Sequence, residues 1–155
     1  MSTSRKIAIL VAIAFLILVV VRRMTPSAPI LGHKSGVLQP LPDSPNCVSS
    51  QTDQASKQLP TLPWTGDVSD TLDRLAELSE QAGGVVTERT DVYLRVEFRT
   101  RLMGYTDDVE WLVVDQQVHF RSASRVGYWD LGVNRRRMQK LSQLYLDSLP
   151  PAEDA

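Results

Sequence analysis

A single cysteine, Cys47, stands in 155 residues. With no second thiol in the chain, an intramolecular disulfide scaffold is excluded. Neither sign of charge is in excess: 17 Lys and Arg face 18 Asp and Glu, a formal net charge of −1. That balance supplies no global field for holding nucleic acid. There is no Gly-rich phosphate loop, no Cys-x-x-Cys, no histidine pair at metal-ligand spacing and no internal repeat. Apolar residues make up 43% of the chain, too many for wholesale disorder. A large multidomain enzyme is excluded by length. Once the N-terminal apolar run and the Pro- and Ser-rich stretch to Pro63 are set aside, roughly 90 residues remain, enough for one small core.

Ile7 to Val21 is a run of fifteen apolar residues, bracketed by Arg5-Lys6 and Arg22-Arg23. As a helix it spans roughly 22 Å at 1.5 Å per residue, against a hydrocarbon core of about 30 Å. Snorkelling Arg and Lys stems close part of that gap. The expectation is an uncleaved signal anchor over residues 1–23, making the chain a single-pass membrane protein. A cleaved signal peptide is the rival, but two arginines stand where a small-x-small cleavage site belongs. Flanking charge is nearly balanced, and the short head favours the domain on the non-cytoplasmic side.

Residues 24–42 read as a Pro/Ser/Gly-rich linker. Residues 43–149 read as one α+β domain, and residues 150–155 as an acidic tail. Asp43-Ser-Pro-Asn-Cys-Val-Ser-Ser-Gln51 is turn chemistry. Leu59 to Trp64 is an extended apolar strip expected along the domain surface. Asp67 or Ser69 caps a helix whose stripe is Leu72, Leu75, Leu78 and Ala82, and Gly83-Gly84 stops it. Val85 to Thr87 is a short strand. Asp91 to Arg99 alternates, with Val92, Leu94, Val96 and Phe98 on one face and Tyr93, Arg95, Glu97 and Arg99 on the other. Val109, Trp111 and Val113 alternate again, Asp115 to Gln117 turns, and Val118 to Arg125 forms the next strand. A final helix runs from Val133 to Leu149. The predicted fold is a four-stranded, mostly antiparallel sheet flanked by two helices, in the order α-β-β-β-β-α, plus the transmembrane helix.

Chemistry concentrates between Arg121 and Arg137. Asp130 is an N-cap for the last helix, yet Arg135, Arg136 and Arg137 occupy its first turns. Cations there oppose the helix dipole at about 0.3–1 kcal/mol each. Two compensations are open: carboxylates from Asp107, Asp108 and Glu110 on the neighbouring strand, or a bound anion. Asp108 and Glu110 share a strand face and Asp107 takes the opposite one, which argues against a metal held by the three. Cys47 with His119 is the one nucleophile–base pairing the composition allows, and nothing in the sequence brings the two together. Ser49 and Ser50 lack a nucleophile-elbow context. Trp111, Tyr128 and Trp129 are expected as core or lining residues.

Four separated stretches resemble the domain-of-unknown-function family numbered 1499. They are Asp43 to Gln51, Tyr93-Leu-Arg-Val-Glu-Phe98, Tyr105-Thr-Asp-Asp-Val-Glu-Trp111 and Arg121-Ser-Ala-Ser-Arg-Val-Gly-Tyr-Trp-Asp-Leu-Gly-Val-Asn-Arg135. The resemblance implies a small domain, often membrane-anchored or exported, with no established activity. Members often carry a second cysteine just before the Pro-Asp-Ser-Pro-Asn-Cys segment, where this chain has Leu41.

The leading expectation is a non-catalytic binding or scaffold module. Asn46 and Ser49 pin the leading segment, and Asp107, Asp108 and Glu110 pair with Arg121, Arg125 and Arg135. With Asp130 and Asn134 these form a polar face that meets a protein partner or a small anionic ligand. The membrane is the other partner, through Ile7 to Val21. No nucleic acid, metal or cofactor is expected. One alternative is a hydrolase or transferase using Cys47 or the Asp107–Glu110 cluster. The other is an Arg–Asp network that serves folding alone.

Overall fold

Alternation of apolar and polar residues builds the centre of the molecule. The computed structural model describes residues 2–23, 29–64, 66–100 and 104–150. The elements are, in order, α1 (Thr3–Arg23), β1 (His33–Lys34), β2 (Val37–Leu38), β3 (Cys47–Ser49), β4 (Leu62–Pro63), α2 (Val68–Gln81), β5 (Gly84–Arg89), β6 (Tyr93–Arg99), β7 (Thr106–Val114), β8 (Gln117–Ser124) and α3 (Val133–Asp147).

Strands β5 to β8 form an antiparallel meander, with β3 beside β8 in the order β3-β8-β7-β6-β5 and β4 pairing with another stretch of β8. Two residues, Asp115 and Gln116, close the β7–β8 hairpin with φ of 51° and 60°. Positive φ at both positions matches the strand twist that two-residue hairpins prefer. Asp67 caps α2, its carboxylate accepting from the Ser69 amide at 2.6 Å. Leu72 and Leu75 of α2, with Met138, Leu141 and Tyr145 of α3, lie against Leu94, Val96, Phe98, Val109, Trp111, Val113, Val118 and Phe120 of the sheet. Each of these large side chains contributes about 1.5–3 kcal/mol by leaving water. Trp111 meets Phe120 edge-on at 5.7 Å, and its indole N–H donates to Ser79 Oγ at 3.3 Å.

The α+β class and the helical layer follow the expected pattern, but the four-stranded sheet is corrected. The main sheet has six strands, and β1 and β2 form a separate hairpin. Val48 and Leu62 carry β3 and β4 into the core. At two or three residues, neither strand is long enough to display alternation.

The transmembrane helix, and with it the single-pass membrane localisation, is also corrected. Among the described residues no helix is long and apolar enough to cross a membrane. Helix α1 has 21 residues, but Arg5, Lys6, Arg22 and Arg23 lie within it. Its uncharged stretch of roughly 22 Å falls short of a hydrocarbon core of about 30 Å. Residues 24–28 of the expected linker, and the acidic tail from residue 151, lie outside the described residues.

Gly84 opens β5 where no side chain fits. An ideal Cβ there stands 2.5 Å from Val96 Cγ1, 2.8 Å from Phe98 Cζ and 2.9 Å from the Ser79 carbonyl. Gly84→Ala is therefore expected to lower unfolding stability by about 1–3 kcal/mol through overpacking. Urea titration of the variant reads this directly, and an unchanged midpoint contradicts the close approach.

Candidate functional site

The face of the sheet turned away from the helices is built from charge. Its floor is three adjacent strands. Register sets Arg95 opposite Glu110, Glu97 opposite Asp108, and Glu110 opposite Arg121. Glu97 and Asp108 are like charges directly across a strand pair, an arrangement that destabilises unless cations intervene. Two arginines do so. Arg95 gives Nε and Nη2 to Asp108 Oδ1 at 3.1 and 2.7 Å. Arg125, just past the end of β8, gives Nε to Asp108 Oδ2 at 2.8 Å and Nη2 to Asp108 Oδ1 at 2.8 Å, and its Nη2 also reaches Glu97. Burial pushes the Asp108 carboxyl up, but the hydrogen bonds from Arg125 and Arg95 outweigh it and hold the group below the usual carboxylate range. The same bond to Asp108 holds Arg125 above its ordinary value despite burial.

Glu110 is 0% exposed. Its Oε1 accepts from Tyr93 Oη at 2.8 Å and from the Gly32 amide at 2.9 Å, and its Oε2 accepts from Arg121 Nη1 at 2.9 Å. Burial first, and Glu110 second, push the Tyr93 phenol well up. The Gly32 bond comes from the leading segment, which lies over this face. The His33 and Tyr93 rings lie 5.9 Å apart, tilted by 38°, and Leu38 packs with Tyr93 and Leu112. Gln51 ties the hairpin down, donating to Gly36 O and accepting from Leu38 N, both at 2.9 Å. The buried Lys57 ammonium donates to Pro42 O at 2.7 Å and Asp43 O at 3.0 Å.

Between that segment and the sheet lies a cleft of about 440 Å³, within the usual range for small-ligand sites. One wall is Pro29, Pro40, Leu41 and Pro42; the other is Asp108, Arg121, Ala123, Ser124 and Arg125. Arg121 is 6% exposed. Its Nη1 serves Glu110, while its Nε is buried with no hydrogen-bond partner among the described residues.

The expected site residues divide between the two faces. Glu110 meets Arg121 and Asp108 meets Arg125, as the charge pattern suggested. Asp107 points to the helix side, where Oδ2 accepts from Arg137 Nη2 at 2.6 Å and Oδ1 from Ser124 Oγ at 2.6 Å. Among the described residues Arg135 pairs with no carboxylate and donates to the Ser56 and Gln58 carbonyls. The N-cap of α3 is Gly132 and not the expected Asp130; Asp130 lies two residues earlier and accepts from the Gly132 amide at 2.9 Å and the Asn134 amide at 2.7 Å. Asn134 links α3 to the sheet: Nδ2 donates to Asn46 O and Ser124 Oγ, and Oδ1 accepts from Ser122 Oγ and Arg137 Nη1. Asn46 donates to Gly127 O at 2.7 Å, and Ser49 Oγ to Phe120 O at 2.9 Å. So the dipole conflict at α3 is met inside the protein, by Asp107 on Arg137 and by backbone carbonyls on Arg135 and Arg136.

Three members of the outer-face network were not expected as site residues: Tyr93, Arg95 and Glu97. They sit on the face of β6 that reads as solvent-facing, and the covering segment carries no pattern that announces a cover. Cys47 is 2% exposed, and its thiol donates to Ser44 O at 3.1 Å. Burial pushes that thiol up, against Lys57 and Arg121. His119 contacts Ser50 Oγ at 3.4 Å. Among the described residues, no group of three His, Cys, Asp or Glu could hold a metal ion.

A family model described as "Protein of unknown function (DUF1499)" matches residues 37–144, and the chain belongs to that family. No curated protein matches it.

Because Asp108 titrates lower in the folded chain than in the unfolded one, its contribution is present above the unfolded value of about 3.9 and is lost as pH falls through the folded value. Wild-type stability is expected to drop on acidification below about pH 4. Asp108→Asn is expected to be less stable at neutral pH and to show a shallower acid limb. Denaturant titrations across the acid range test this, and parallel limbs for the two proteins contradict it.

Proposed function

We propose that this chain is a non-catalytic binding module whose cleft takes a small anionic ligand with an apolar body. The observation that carries the reading is Arg121. A guanidinium has five N–H donors. This one lines a cleft, commits one nitrogen to Glu110 and holds a buried Nε without an acceptor among the described residues. A carboxylate or phosphate oxygen seated in the cleft beside the guanidinium gains a charge-assisted bond. The opposite wall, three prolines and Leu41, suits an apolar body.

Catalysis is supported less well. Asp108 is held ionised by two arginines, and Glu110 is saturated by Tyr93, Gly32 and Arg121. Held in that form, Asp108 is a poor general acid near neutrality. The Cys47 thiol is buried and shifted away from thiolate, and its hydrogen-bond partners are carbonyls. One observation favours a purely structural network as the second reading. Glu97, Asp108 and Glu110 are matched in number by Arg95, Arg121 and Arg125.

The two readings separate by thermal denaturation of the full chain with inorganic phosphate, acetate or octanoate, alongside its native and denatured masses. The binding reading expects octanoate, or an excess mass released on denaturation, to stabilise by about 2.7 kcal/mol at a hundredfold excess over Kd. Arg121→Lys, which keeps a cation beside Glu110, is expected to lose that response. Leu41→Trp, which fills the cleft and leaves the ion pairs intact, is expected to lose it as well. A bare-chain mass with no response to any of the three anions overturns the binding reading in favour of the structural one.

A further inference from the structure

A second surface, unrelated to the cleft ligand, lies where β8 runs into α3. Tyr128, Trp129 and Leu131 are 73%, 72% and 78% exposed. Three large apolar side chains within four positions in water are costly to keep there, and such patches mark interaction sites. The segment is held in shape. Asn46 donates to Gly127 O at 2.7 Å, Asp130 accepts from two amides of the following turn, and Arg136 Nη1 donates to Leu131 O at 2.8 Å. Leu131 has φ of +54°, a left-handed conformation that a γ-branched residue adopts only at a cost. The chain thus holds a strained turn in place while leaving its apolar side chains unpacked.

Arg136 joins this tip to a groove of about 500 Å³. Arg99, Arg136, Arg137 and Lys140 line it, with no carboxylate among the described lining residues. Asp107 neutralises Arg137 from the sheet side. Lys140 lies one turn beyond Arg136 on the same helix, and like charges at that spacing repel. An anionic partner relieves that repulsion. The far rim of the groove, Ala82 and Gly83, closes the C-terminus of α2. That end is the negative pole of the helix dipole, and the exposed Glu80 stands just before it. With a net charge of −1 for the chain, the groove suits a short acidic stretch better than a long polyanion.

We propose that Tyr128, Trp129 and Leu131, together with the Arg136–Lys140 groove, form a docking surface for an acidic protein segment that carries a large apolar side chain. The apolar residue sits against Trp129, and its neighbouring carboxylates enter the groove. Aromatic and arginine anchors of this kind carry most of the binding energy in protein interfaces.

The test is fluorescence anisotropy with the full chain and four probes. These are a labelled short glutamate peptide with a central Leu-Trp pair, the same peptide with glutamate in place of that pair, a labelled oligothymidylate, and phosphatidylserine vesicles. The Leu-Trp peptide is expected to bind best, with affinity falling as salt rises. Trp129→Ala is expected to weaken it by about tenfold or more, and Trp129→Phe to retain most of it. Lys140→Gln, which leaves the Arg136 bond to Leu131 O in place, is expected to weaken binding and flatten the salt dependence. All these side chains are exposed, so circular dichroism of the variants is expected to match wild type. The proposal is overturned by no binding of the Leu-Trp peptide, by equal binding of the all-glutamate peptide, by an unchanged affinity in Trp129→Ala, or by tighter binding of the oligothymidylate or the vesicles.

Discussion

A carboxylate with no exposed surface has to find its hydrogen bonds and its counter-charge inside the protein, and Glu110 is such a carboxylate. Taking an ion out of water costs several kcal/mol even after the protein relaxes. The surroundings of Glu110 meet that cost from three directions at once. Tyr93 approaches along β6, Arg121 along β8, and the Gly32 amide from the segment laid above. Asp108, two residues away on the same face, repeats the solution with Arg95 and Arg125. The register of three strands and the path of the leading segment are therefore bound up with one requirement. Slipping any of these strands by one residue turns its charged side chains to the apolar face.

The sheet is thus a middle layer with chemically opposite faces. Helices α2 and α3 cover the apolar face, where area removed from water stabilises and shape is the main demand. The hairpin and its prolines cover the polar face, where stabilisation comes from direction: a donor aimed at each oxygen. A cover of that kind leaves gaps. The cleft beside Arg121 is one, and it falls where a guanidinium has donors to spare. Asn134 joins the two sides of the sheet. It holds α3 to β8 and to the Asn46 carbonyl that leads into β3, so the same residues that end the sheet also set the strand-to-helix turn that presents Trp129.

Periodicity made α2, α3 and the three strands from Tyr93 to Ser124 readable in advance. Leu94, Val96 and Phe98, then Val109, Trp111 and Val113, repeat every second residue, and all six are in the core. Asp67 announced its helix by side-chain capping chemistry, whereas the N-cap of α3 is Gly132, two residues past the Asp130 that the sequence offered. The short strands were not legible. Cys47-Val-Ser49 sits in a run of turn-forming residues, and its pairing with β8 is a tertiary fact with no local signature. The apolar run at the N-terminus reads as a membrane span by composition, but it is too short once its flanking charges are counted. At the site, Arg135, Arg136 and Arg137 stood out because cations at a helix start oppose its dipole, and Asp107, Asp108 and Glu110 as the carboxylates able to compensate them. Arg95 and Glu97 did not, since alternation assigns them to water and cannot foresee a cover. Arg135 and Arg137 differ only by where two residues of helix rotation bring them. Tyr128 and Trp129 read as lining by residue type, whereas the caps around them turn both outward.

The central claim is that Glu110 and Arg121 depend on each other. A double-mutant cycle of Glu110→Leu, Arg121→Met and the two together, read by urea unfolding at neutral pH, measures that dependence. Each single change is expected to cost about 3–5 kcal/mol, because it leaves a buried charge unpaired. The double variant is expected to cost far less than the sum. Additive losses contradict the account, because they mean that the two residues contribute independently and that the outer face is not organised around their pairing.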